Sequence, residues 1–109
     1  MADAIRYLHP QESISYTMDF QDVLPSADSA LAAVGSGSSV KAIDSVGTDR
    51  TADILTGSAI SSKTLATTIH NVLEGEEYVL TFWGQGATSG QRFVKTLLLL
   101  GRSQLTGEF

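Results

Sequence analysis

The sequence predicts an all-β domain, an antiparallel β-sandwich of about seven strands, and three observations carry that reading. Short segments rich in β-branched, aromatic and aliphatic residues recur along the chain, several with period-2 alternation. Turn residues interrupt them roughly every ten positions. No stretch has the apolar spacing of an amphipathic helix. The 109 residues fit one domain, large enough to bury a modest core without disulfide or metal support.

The strongest element is the segment at residues 78–83. Tyr78, Leu80 and Phe82 fall on one face and Val79, Thr81 and Trp83 on the other, so both faces carry bulk and a central strand is expected. The corner Glu74-Gly75-Glu76-Glu77 leads into it, with Gly75 free to take a positive φ. From the N-terminus, residues 1–12 mix charge, His9 and Pro10 without a period, and read as an arm that frays or docks on a neighbour. Residues 13–20 alternate cleanly, Ile14, Tyr16, Met18 and Phe20 against Ser13, Ser15, Thr17 and Asp19, as a half-buried strand does.

Pro25 ends that ladder. Residues 28–34 are read as a strand, although their alanines favour helix. Gly35-Ser36-Gly37-Ser38-Ser39 is turn material before a strand at residues 40–46. A short strand is expected at residues 51–56, a ragged edge strand at 58–62, and a threonine-rich strand at 65–73 that runs into the Glu74 corner. After Trp83, residues 84–90 form a hairpin loop, and the last strand covers residues 91–100. The domain boundaries that follow are an arm at 1–12, the sandwich at 13–101 and a polar tail at 102–109.

Composition narrows the function classes. Seven basic against twelve acidic residues give a net charge of −5, which argues against direct nucleic-acid binding. No cysteine is present, so thiolate metal sites and thiol nucleophiles are excluded. Residues 1–10 have no apolar run behind a basic start, so a secretory leader is not expected. The longest apolar run, Leu97-Leu98-Leu99-Leu100, is far below the ~20 residues of a membrane span, so no membrane partner and a soluble chain are expected.

The run Val72-Leu73-Glu74-Gly75-Glu76-Glu77-Tyr78-Val79-Leu80-Thr81 resembles the corner between the fifth and sixth strands of fibronectin type III and related immunoglobulin-like domains. The resemblance implies an immunoglobulin-like sandwich whose structural corner, Gly75 and Tyr78, is closed by a bond from the Tyr78 hydroxyl to backbone just upstream. A wider order is also present. It comprises the tyrosine-containing first strand, Asp19-Phe20-Gln21-Asp22-Val23-Leu24-Pro25, the Gly-Glu-Glu-Tyr corner, Thr88-Ser89-Gly90 and a final apolar strand. Together these resemble small immunoglobulin-like structural proteins of tailed bacteriophages, the head-decoration, neck and fiber-to-tail adaptor subunits. That resemblance implies a non-enzymatic virion protein, made in the host bacterial cytoplasm. It would act as a homo-oligomer and dock to other virion proteins.

Two features of the residues bear on assembly. Residues 1–28 carry Asp3, Glu12, Asp19, Asp22 and Asp28 against Arg6, whereas residues 84–107 carry Arg92, Lys95 and Arg102 with no acid. These groups either pair head to tail between copies or neutralise each other inside one sandwich. In the leucine run, alternation sends Leu98 and Leu100 outward, where the arm covers them or a second subunit meets them. The candidate interface is therefore Leu98, Leu100, Arg92, Lys95, Arg102, Asp19 and Asp22, with Leu97 and Leu99 expected in the core.

A second class of function, a monomeric carbohydrate- or cell-surface-binding domain, would use Trp83, Gln85, Thr88 and Ser89 at the loop tip, unless Trp83 is packed in the core. Catalytic, cofactor and metal sites are not expected. His9 and His70 lie far apart with no framing carboxylates, no nucleophile-elbow pattern selects among the serines, Glu74, Glu76 and Glu77 read as a solvated corner rather than a calcium loop, and Asp44, Asp49 and Asp53 straddle a glycine turn as a solvated face or, alternatively, a loose calcium cradle.

Overall fold

The computed structural model describes residues 4–102. Its elements are β1 (Ala4–Leu8), β2 (Ile14–Asp19), β3 (Ser39–Asp44), α1 (Thr51–Ile54), β4 (Leu55–Ser61), β5 (Thr64–Ile69), β6 (Glu77–Gln85) and β7 (Arg92–Gly101). They form a four-stranded sheet, β1-β7-β6-β3, and a three-stranded sheet, β2-β5-β4. The chain is thus mostly β, in two sheets that enclose one core.

β6 is central because both of its faces have something to cover them or to present. Tyr78, Leu80 and Phe82 are buried against the other sheet, while Val79, Thr81 and Trp83 alternate onto the outer face. Its partners are β3 on one side and β7 on the other, both antiparallel. In β7 the same alternation buries Leu97 and Leu99 completely. From the opposite sheet come Met18, Leu65 and Ile69, with Phe20 just past the end of β2, so the two inner faces interdigitate. Each large side chain buried in this way contributes about 1.5–3 kcal/mol.

Four local expectations are revised. Residues 4–8 of the arm are a strand, β1, which pairs parallel with β7 and makes that sheet mixed rather than antiparallel throughout. The cause is visible in the pairing: Leu8 plugs the core at 1% exposure while Ile5 and Tyr7 lie on the outer face, so the strand lacks the apolar-in, polar-out pattern. Residues 28–34 are a loop with only isolated bridges, Leu31 to Gly86 and Val34 to Ser38. Thr51–Ile54 is a single helical turn, opened by the Asp49 carboxylate accepting the Thr51 N–H, and β4 starts only at Leu55. β5 stops at Ile69, before Asn71 takes a φ of +55°. Residues 1–3 of the arm and 103–109 of the tail lie outside the described residues.

Candidate functional site

The outer face of the four-stranded sheet carries the exposed chemistry. In register, Ile5 pairs with Leu98, Leu98 with Val79, and Val79 with Ile43, so one apolar row crosses all four strands. Ile5 is 62% and Val79 43% exposed, with Leu98 and Ile43 half-buried. The next row, Tyr7, Leu100 and Glu77, flanks it on one side; Thr96, Thr81 and Lys41 flank it on the other. Of the two leucines expected outward, Leu98 is available. Leu100 is on the outer face yet only 8% exposed, so it offers little to a partner. Ile5, Ile43 and Val79 were not singled out from sequence; the outward alternation of Val79 within its strand was the signal for one of them.

Further along the same face, Trp83 pairs with Val94 and Ser39, and Gln85 with Arg92. Trp83 is half-buried and lines a groove with Lys41 and Arg92, away from Thr88 and Ser89. Arg92 donates through Nε and Nη2 to Gln85 Oε1 at 3.3 and 3.1 Å. The four residues grouped as a loop tip therefore separate into a groove wall, Trp83 with Gln85 behind it, and a hairpin tip, Thr88 and Ser89.

That tip is held from below by Asp28, which is fully buried. Its Oδ1 accepts the N–H groups of Thr88 and Ser89 at 2.7 and 2.8 Å, and its Oδ2 accepts the Ser89 hydroxyl at 2.6 Å. These bonds, the Ser89 hydroxyl first, hold the Asp28 carboxyl below the usual carboxylate range. Sequence reasoning counted Asp28 only as a charge, because nothing local marks its partner 61 residues away.

The segregated termini meet within the chain. Lys95 Nζ binds the Asp22 carboxylate and the Asp19 carbonyl, and lies 5.7 Å from the centre of the Phe20 ring. The Lys95 hydrogen bond lowers the Asp22 pKa. Arg102 donates its N–H to Leu8 and its guanidinium to the Gly101 carbonyl. Lys95 and Asp22 thus pair inside the domain, one of the two arrangements open to them, while the Asp19 carboxylate accepts the Gln21 N–H.

At the corner, the Tyr78 hydroxyl accepts the Leu73 N–H at 3.0 Å, and Gly75 takes a φ of +79°. Burial pushes the Tyr78 phenol up, opposed by that N–H. Asp44 is held low, chiefly by the Thr48 N–H, and Arg50 Nε donates to its other oxygen at 3.0 Å. Among the described residues no group of three His, Asp or Glu side chains could hold a metal ion, and no helix is long and apolar enough to cross a membrane. No protein-family model matches the chain, and a search of curated proteins finds no match.

Proposed function

We propose that this chain is a non-enzymatic assembly subunit, an immunoglobulin-like module of the virion structural kind, that works by self-association and by docking to other virion proteins. The observation that carries the reading is the apolar row Ile5, Leu98, Val79 and Ile43, continuous across four strands on a solvent face. Scattered apolar residues on a surface need no account, but a connected row does.

The occupant we assign is a second copy. A two-fold axis lying along the row stacks it on itself and exchanges its flanks, as an isologous interface requires. The flank holding Lys41 on one copy then lies over the flank holding Glu77 on the other. Apolar centre and opposite-charge flanks are thus self-complementary. The Tyr78 to Leu73 bond and the two-sheet core support the immunoglobulin-like part of the reading.

Light scattering across a range of concentration tests the proposal. The expected mass is a multiple of 11.6 kDa at high concentration, and Ile5→Glu with Val79→Glu should return it to 11.6 kDa without lowering the melting temperature. A wild-type mass of 11.6 kDa at every concentration would refute self-association.

A further inference from the structure

The groove beside Trp83 has a chemistry that the apolar row does not use. Its volume is about 500 Å³, and it is lined by Trp83, Ser39, Lys41, Asp49, Arg92 and the backbone at Gly37. Trp83 is two rows and Arg92 three rows from the line joining Ile5 to Ile43, and Lys41, in the flanking row, is the one groove residue that the self-association surface also uses.

The groove is built, not incidental. A Cβ on Gly37 would lie 2.6–2.9 Å from the Gln85 amide, and Gly37 has a φ of +130°, so glycine there lets Gln85 sit against the loop. Gln85 in turn fixes two of the five Arg92 N–H donors, and among the described residues the other three have no partner. Lys41 Nζ is 3.8 Å from Asp49, both half exposed, a pair weak enough for a ligand to displace. Two cations thus flank one indole on a chain of net charge −5.

We propose that this groove binds an acidic saccharide, with a pyranose stacked on Trp83 and its carboxylate on the Arg92 guanidinium. The C–H face of a pyranose matches an indole that is apolar across its ring. A planar guanidinium with free donors matches a carboxylate in two parallel bonds. Lys41 adds the second positive charge, and the Ser39 hydroxyl and Asp49 carboxylate meet ring hydroxyls. A neutral sugar would leave both cations unused. Single-stranded nucleic acid would also stack, but it needs a track of cations, and an acidic chain repels its backbone.

An array of sialylated, uronic-acid-bearing and neutral glycans, probed with the full chain, reads the proposal directly. Retention should be confined to acidic glycans. Calorimetry on the best of these should show binding lowered about tenfold or more by Arg92→Gln, and lowered again when its carboxyl is reduced to an alcohol. Arg92 is exposed, so the variant should keep the parent melting temperature. Trp83→Ala should abolish binding; if that variant fails to fold, Trp83→Phe should bind more weakly than the parent and more strongly than none. Equal retention of neutral glycans, no retention of any glycan, tighter binding of an oligothymidylate, or full affinity in Arg92→Gln would each overturn the proposal.

Discussion

Asp28 and Ser89 meet twice: Oδ1 accepts the Ser89 N–H at 2.8 Å and Oδ2 accepts its hydroxyl at 2.6 Å. With the Thr88 N–H also on Oδ1, a buried carboxylate holds the tip of the β6–β7 hairpin from a loop 60 residues earlier in the chain. The negative charge is tolerated there because three donors replace its water.

The sign of the pH dependence follows from that arrangement. The folded Asp28 carboxyl is held below its ordinary value, so its stabilisation is present above the unfolded pKa of about 3.9 and is lost as pH falls toward the folded one. In that window the unfolded chain binds the proton first. Asp22 and Asp44 are lowered in the same direction and add to the loss as pH falls. Thermal melts should be flat from neutral pH to about 5 and fall steeply below about 4. Asp28→Asn should melt lower at pH 7 and show a shallower acid fall; an unchanged acid limb would contradict the assignment.

Gly86→Ala probes the same contact from the other side. Gly86 is absent from the positive-φ positions, so alanine meets no backbone penalty, but its Cβ would run into the Asp28 carboxylate. That side chain cannot swing aside while three bonds hold it. A loss of about 1–3 kcal/mol in denaturant unfolding is expected. In an Asp28→Ala background the same substitution should cost much less, and strict additivity of the two would sink the account.

Tyr78→Phe keeps the buried ring and removes only the acceptor for the Leu73 N–H. The expected loss is about 1–3 kcal/mol, the range for a partly buried donor left without a partner. Amide exchange at Leu73 should accelerate beyond the global change. A variant as stable as the parent would mean that water replaces the phenol at no cost.

How far the sequence could be read depended on how local each cause was. β2 and β6 were legible because alternation is written within one segment, as was the hairpin between Trp83 and the last strand. β1 was not, since its ladder is made with β7 and pairs Ala4 with Leu97, and its outward Ile5 and Tyr7 hide the period. One helical turn at Thr51–Ile54 is too short to leave a 3.6-residue pattern. The groove was half visible: Trp83 and Gln85 were chosen, but Lys41 and Gly37 reach them only through the pairing of β3 with β6. The pairing of Lys95 with Asp22 within the chain is legible as charge and illegible as geometry.

The two-fold arrangement proposed above makes a sharper demand than self-association alone. If the flanks exchange, Lys41 and Glu77 approach across the interface, and each such pair occurs twice in the dimer. Exposed ion pairs contribute about 0.2–1 kcal/mol each, so Lys41→Glu should weaken the dimer by about two- to thirtyfold in sedimentation equilibrium. Glu77→Lys should weaken it similarly, and the double exchange should recover most of the parent affinity. Leu99→Ala is the control for stability, because Leu99 is fully buried on the inner face; it should cost about 2–5 kcal/mol in unfolding while the folded fraction associates as before. Two weakened single variants with no recovery in the double would mean that the row stacks in another orientation.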